Sequence, residues 1–311
     1  MKLRLLALAL ISASLVAPLG VVAQSAANAS HSQASSLKPV AEVEGISEYR
    51  LPNGLRLLLA PDASKPTTTV NMTYLVGSRH ESYGETGMAH LLEHMLFKGA
   101  GNRKNIKDDL TKLGASYNGT TTADRTNYFE TVDPDPKKID ELIRIEADRF
   151  IRAKFTAQDL ATEMTVVRNE LENSEREPAQ LVMSALARNS FNWHGYARST
   201  IGARSDIEAT TFQSLQNFHR KHYRPDNAAL IISGSFDPGR VLALASELFS
   251  VAKNPSLAKP ANHTVDTPQS ATNKSELYLS KATTVVASAW KLPSLKQRDV
   301  HALDLDRKSV V

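Results

Sequence analysis

The sequence predicts an α+β fold, and three observations carry that reading. Short runs alternate apolar and polar residues with the period of a strand, most clearly Glu48–Ala60 and Thr67–Gly77. Longer segments space their apolar residues as a helix does, as in Ile139, Leu142, Ile143, Ile145 and Phe150. Turn residues bound these runs, with Pro61-Asp62 through Lys65-Pro66 between the first two and Asp133-Pro134 after a later one. Helices mixed with hairpin strands in one chain indicate α+β rather than a single-class fold.

The chain opens with a pattern that is not part of the fold. Met1-Lys-Leu-Arg4 is a short positive region, Leu5–Val22 is apolar, and small residues follow. This is the form of a secretory signal peptide over residues 1–23, with Ala23 preferred over Ala29 as the cleavage point. Pro18 and Gly20 near its end argue against an uncleaved anchor, so no stable membrane span is expected after cleavage. Residues 24–42, rich in Ser and Ala, read as a flexible tether. The expected location is the bacterial periplasm. The chain has no cysteine, which excludes disulfides and lipid attachment through an N-terminal Cys.

Residues 43–253 read as one module. After the first two strand runs, a helix is expected from about Thr86 to Lys98, ended by Gly99, and a second over Lys104–Leu113, ended by Gly114. Strands follow at Ser116–Thr121 and Thr126–Val132, and then a helix over Asp135–Phe150. Thr156 with Asp159 three residues on resembles a capping box and opens a helix that carries Glu163 and Glu170. A helix at Phe212–His222, a strand at Ala228–Ser233 and a helix over 237–253 complete the module. Residues 254–273, rich in Pro, Ser, Thr and Ala without sustained period, form a linker. Glu276–Leu279 and Thr284–Lys291 read as strands of a second module over residues 274–305.

Composition sets broad limits. A hydrophobic fraction of 41% and a charged fraction of 23% are those of a globular protein, and 311 residues allow one large or two medium domains. The net charge of +4 is scattered, and no Lys/Arg run with interleaved aromatics points to nucleic acid, so no nucleic-acid partner is expected.

The chemistry lies in His90-Leu91-Leu92-Glu93-His94. Helical residues four apart share a face, so His90 and His94 can aim imidazole nitrogens at one point, with Glu93 beside them. Two neutral imidazoles, a carboxylate and an open position for water make a catalytic zinc site, and H-x-x-E-H is a zinc-peptidase string. Alone, the string also fits two ordinary histidines and one solvated glutamate, so its surroundings matter. His219 and His222 are three apart on another helix, but no carboxylate completes a set and Arg220, Lys221 and Arg224 would repel a cation. They read as solvated.

Those surroundings resemble the pitrilysin family of zinc peptidases, which includes insulin-degrading enzyme and the mitochondrial processing peptidase. Leu51-Pro-Asn-Gly-Leu-Arg56 resembles the opening hairpin, and Gly77-Ser-Arg-His-Glu81 with Gly87–Gly99 resembles the zinc helix. Asn118–Tyr128 resembles the substrate-binding edge strand, and Glu163-Met-Thr-Val-Val-Arg-Asn-Glu170 the helix of the third ligand. The resemblance runs from about Val43 to Leu305. It implies a module of mixed, mainly antiparallel sheet with packed helices, followed by the start of a second similar module.

The resemblance also implies roles. His90, His94 and Glu170 would hold Zn2+, and Glu93 would be the general base, free of the metal. Glu163 would orient an imidazole ligand. Asn118, Gly119, Thr120 and Thr121 would bind substrate as an added strand, although Asn118-Gly119 alone also reads as a turn. The implied activity is endopeptidase action on peptides or unfolded segments. The competing reading is a catalytically incomplete, peptide-binding partner subunit of such an assembly.

Relatives complete the site with an arginine and a tyrosine from a later domain, and residues 256–311 hold no match to that pair. We therefore expect the 311-residue chain to be inactive alone, with its other half in the same chain or a partner subunit. The closing Asp306-Arg-Lys-Ser-Val-Val311 matches what a sequencing-adapter string would encode, the alternative being a natural charged C-terminus. We expect a truncated reading frame, with residues 306–311 an artefact.

Overall fold

The computed structural model describes residues 37–261, 263–279, 284–292 and 302. The expected signal peptide, most of the tether and the closing hexapeptide lie outside the described residues.

One seven-stranded sheet organises the chain. Its strands are β1 (Ala41–Val43), β2 (Ile46–Arg50), β3 (Arg56–Pro61), β4 (Thr68–Tyr74), β6 (Ser116–Thr121), β7 (Thr126–Val132) and β9 (Ala228–Gly234). The short strands β5 (Gly99–Ala100) and β8 (Ala153–Lys154) pair separately. The order in the large sheet is β1-β2-β3-β9-β4-β7-β6, and only β3 with β9 runs parallel. The sheet is thus mixed and mainly antiparallel, as expected. The helices are α1 (Met88–Met95), α2 (Ile106–Leu113), α3 (Pro136–Arg152), α4 (Ala157–Ser174), α5 (Pro178–Ser190), α6 (Arg204–Ala209), α7 (Phe212–His222) and α8 (Pro238–Phe249).

Alternation in the strands becomes burial. Leu57 and Leu59 of β3, Val70 and Met72 of β4, and Leu230 and Ile232 of β9 are all buried. On β7 the inward set is Tyr128, Glu130 and Val132, which puts a carboxylate in the core. Arg149 of α3 answers it, donating to Glu130 at 3.0 Å and to Glu146 at 2.5 Å, with all three side chains at zero exposure. The guanidinium also lies over the Phe97 and Tyr128 rings at 4.9 and 4.5 Å. Burial pushes both carboxyl pKa values up, against the pull of Arg149.

Four expectations need correction. The run Glu48–Ala60 is two strands rather than one, because Leu51–Leu55 closes the hairpin that the family resemblance implies, with Gly54 at φ +91°. A glycine is needed there to reach the left-handed region. Helices α5 and α6 were not expected. α5 buries none of its residues, so it has no apolar stripe to read, and α6 is a single short segment.

Third, His222 is buried and His219 half-buried rather than solvated: Leu215, Phe218 and His222 form the inward stripe of α7, and the His219 ring lies against Phe155 and Tyr223. Fourth, Glu276–Leu279 and Thr284–Lys291 form no strands. A strand exists through the ladder of a neighbour, and among the described residues none pairs with these. Among the described residues, no helix is long and apolar enough to cross a membrane.

Candidate metal centre

α1 is fixed before it presents anything. Met88, Ala89, Leu91, Leu92 and Met95 are its buried face. Gly87 precedes it at φ +91°, where an added Cβ would stand 2.4 Å from the Ile201 carbonyl oxygen. The buried Glu81 carboxylate accepts from the Gly87 and Ala89 N–H groups, each at 2.9 Å, and so satisfies donors that the helix start leaves open. Burial pushes the Glu81 pKa up to about 8, against those two hydrogen bonds. The other face of α1 carries His90, Glu93 and His94.

α4 brings the third donor. Glu170 Oε2 lies 3.5 Å from Nε2 of His90 and 3.5 Å from Nε2 of His94. One ligand atom from each residue falls within 4.8 Å of the others. Both histidine side chains are 16% exposed and that of Glu170 is 40%, so the cluster is rooted in the protein and open on one side.

Glu163, two helical turns before Glu170, reaches the same cluster from behind. Its Oε2 meets His94 Nδ1 at 3.0 Å, and its Oε1 pairs with Lys98. Burial raises the Glu163 carboxyl, but the bonds from Lys98 and His94 outweigh it and hold the pKa below the usual range. With the proton on Nδ1, the His94 lone pair at Nε2 faces Glu170. Burial, aided by repulsion from His94, pulls the His90 pKa down to about 4, so this ring is neutral near pH 7. His90 Nδ1 is buried without a hydrogen-bond partner among the described residues. Two imidazoles and a carboxylate, with one side open, fit a zinc ion with room for water.

Glu93 stands apart from the three. Its Oε2 accepts from Thr121 Oγ1 at 2.7 Å. Burial raises its pKa, and the Thr121 bond opposes the shift. Gly119 of β6 makes the approach possible, since an added Cβ would lie 3.0 Å from Glu93 Cγ, Glu93 Oε1 and Phe97 Cε2.

The four expected substrate-binding residues divide between the two faces of β6. Gly119 and Thr121 face α1. Asn118 accepts its own neighbour's N–H, from Gly119 at 2.9 Å, and Thr120 donates to Asn127 at 2.7 Å. Asn118-Gly119 is mid-strand, with Asn118 opposite Phe129, and is not a turn. β6 is last in the sheet order, so its outer backbone edge is open among the described residues. Sequence reasoning missed Lys98 and Glu81. Both flank α1 in segments that the sequence singled out, but without a role, because each acts through a contact the sequence does not display.

Comparison with known proteins identifies the family of the chain. The insulinase (peptidase family M16) pattern matches residues 56–204, and the peptidase M16 inactive-domain pattern matches residues 209–305. Zinc protease PqqE of Helicobacter pylori is 27% identical over 266 residues, covering 82% of this chain and 58% of that protein. An uncharacterized zinc protease of Rickettsia felis is 28% identical over 212 residues, covering 68% of this chain and 51% of that one.

Among solved structures, a protease from Helicobacter pylori matches with a TM-score of 0.68 at 26% identity, over 71% of this chain and 54% of that one. The periplasmic protease PqqL of Escherichia coli matches at 0.67 over 74% of this chain and 26% of that one; at 21% identity the likeness is one of fold alone. The chain spans 38% to 58% of the length of three curated relatives that it matches. With both patterns matched in order along it, the chain belongs to the M16 family of zinc peptidases, the pitrilysin family.

Proposed function

We propose that this chain carries the hydrolytic site of a zinc-dependent endopeptidase, in which His90, His94 and Glu170 hold the metal and Glu93 is the general base. The observation that carries the reading is the convergence of His90 Nε2, His94 Nε2 and a Glu170 oxygen within 4.8 Å, with Glu93 kept beside them by Thr121. Zinc bound there would acidify a water and polarise the scissile carbonyl.

The protein's own groups do the rest. Glu163 fixes the His94 ring, and Lys98 keeps Glu163 ionised by charge. Glu93 takes a proton from water on its carboxylate and returns it to the leaving amine, which requires that it not be a ligand. Its upward pKa shift makes it a better base than a solvated carboxylate. The open edge of β6 would receive an extended peptide or unfolded segment through backbone hydrogen bonds, which suits sequence-tolerant binding.

Glu170 is 40% exposed, so water enters freely from the open side. A second module, in the same chain or a partner subunit, would cover that side, and its removal would leave hydrolysis weak or absent. Export to the periplasm belongs to the same reading, supported by the N-terminal segment. The non-catalytic partner-subunit reading is not favoured, because all four residues expected at such a site are present.

The test is Glu93→Gln in the assembled enzyme. Loss of peptide hydrolysis with one zinc per chain retained is the expected result. Undiminished hydrolysis would overturn the assignment of the base.

A further inference from the structure

A cleft of about 1020 Å³ opens one helical turn beyond His94. It lies between the segment Lys98–Asn105, the β8 region and the end of α7. Five cationic side chains line it, Lys98, Arg103, Lys104, Lys154 and Arg220, against one carboxylate, Asp159. Two of the cations are already answered. Arg103 pairs with Asp109, Glu141 and Asp148, and Lys98 with Glu163. Asp159 is taken by the start of α4, accepting from the Thr156 N–H at 2.8 Å and its hydroxyl at 2.7 Å.

The other three have no carboxylate partner among the described residues. Lys154 donates only to the Gly101 carbonyl, Arg220 only to the Asn217 side-chain oxygen, and Lys104 to nothing described. The net charge of the chain is only +4, so three uncompensated cations around one cleft are a local concentration, not an overall excess. Low-dielectric walls focus such a field into the cleft. α2 and α4 begin on its rim at Asn105 and Thr156 and add the positive ends of their dipoles, although their N–H groups are taken by their own caps.

We propose that this cleft binds an anion, either phosphate groups or clustered carboxylates, between Lys104, Lys154 and Arg220, with Lys98 shared between the bound anion and Glu163. Phosphate and carboxylate oxygens both accept from ammonium and guanidinium donors, which is the chemistry these three side chains offer. Lys98 makes the cleft more than a surface patch. It is the one lining residue that also touches the chain leading to the metal, through Glu163 and then His94 Nδ1. An anion that draws Lys98 towards itself loosens its hold on Glu163, so occupancy of the cleft is felt at the His94 ring.

The test uses the full chain, followed by NMR, and titrated separately with inorganic phosphate and with a tetra-aspartate peptide. We expect saturable binding of at least one of them, weakened about tenfold or more when Lys104→Glu and Arg220→Glu are combined. Both residues are exposed, so the double variant should keep the circular dichroism spectrum of the parent. Saturation by phosphate alone identifies a phosphate site, and by the peptide alone a site for acidic segments. Saturation by neither, or equal affinity in the double variant, overturns the proposal. Binding that leaves the His94 ring resonances unmoved overturns the Lys98 link.

Discussion

Thr121 Oγ1 donates to Glu93 Oε2 at 2.7 Å, which ties the edge strand of the sheet to a carboxylate on α1. The bond does two things at once. It holds one carboxylate oxygen in place, and it favours the ionised form against the burial that raises the pKa.

Removing that donor should separate the two effects. Thr121→Val keeps the shape and loses the hydroxyl. We expect kcat in the assembled enzyme to fall about tenfold, equivalent to ~1.4 kcal/mol, with zinc content unchanged. Because the bond lowers the Glu93 pKa, its loss should also move the acid limb of the pH–rate profile to higher pH. Thr121→Ser should restore both. A profile that does not move would mean that the hydroxyl only positions the group.

Glu163 predicts an effect on metal rather than on chemistry. It holds His94 Nδ1 at 3.0 Å from a side chain only 13% exposed, and Lys98 fixes its other oxygen. Glu163→Ala should weaken zinc binding by roughly 10- to 100-fold, the usual loss when the partner of a ligand imidazole is removed. Glu163→Gln can still accept from Nδ1, so its loss should be smaller. Competition with a fluorescent chelator reads both. Equal affinities across the three proteins would place Glu163 outside the metal's support.

Acid should destabilise the apoprotein through its histidines. Burial holds His222 at about 3 and, with weaker repulsion from nearby cations or imidazoles, His80, His90 and His219 at about 4. In the unfolded chain each titrates near 6.5. The folded values are depressed, so between pH 6.5 and about 4 the unfolded state binds more protons and stability falls as pH falls. Above pH 6.5 these groups add no slope. Each such proton contributes at most ~1.4 kcal/mol per pH unit. Urea midpoints measured from pH 7.5 to 4.5 should drop steeply below 6.5, and His222→Leu should flatten the drop by one proton's share. A flat curve across that window would contradict the buried neutral histidines.

The candidate metal-binding face of α1 was legible because its information is local. His90, Glu93 and His94 lie within one turn and a half, and helical period alone fixes which of them share a face. Glu170 became legible only through family likeness, since nothing local ties α4 to α1. The sheet shows the same division. β4, β6 and β7 were readable as strands, but the insertion of β9 between β3 and β4 depends on pairing across most of the module. Pairing over such separations leaves no pattern in the strand itself. Lys98 and His222 show a third kind of gap. Their residue types predict solvent, and what decides otherwise is a partner on another element, Glu163 for the one and the buried floor of α7 for the other.

Gly119 offers the sharpest test of how closely strand and helix must approach. A Cβ there would lie 3.0 Å from two atoms of Glu93 and from Phe97 Cε2, tighter than ordinary van der Waals contact. Phe97 cannot yield easily, because Arg149 packs over its ring at 4.9 Å and is itself held by Glu130 and Glu146. Glu93 is the softer neighbour. Gly119→Ala should therefore push the carboxylate away from Thr121 before it moves the aromatic floor. We expect about 1–3 kcal/mol of lost stability from the overpacking. We also expect kcat to fall about a hundredfold, the scale of a misplaced reacting group. Zinc affinity should stay within about threefold of the parent, since no ligand touches Gly119. Thermal melts, zinc competition and single-turnover hydrolysis separate the three. Unchanged hydrolysis with lowered stability would show that β6 shifts as a body and that Glu93 does not depend on its fit.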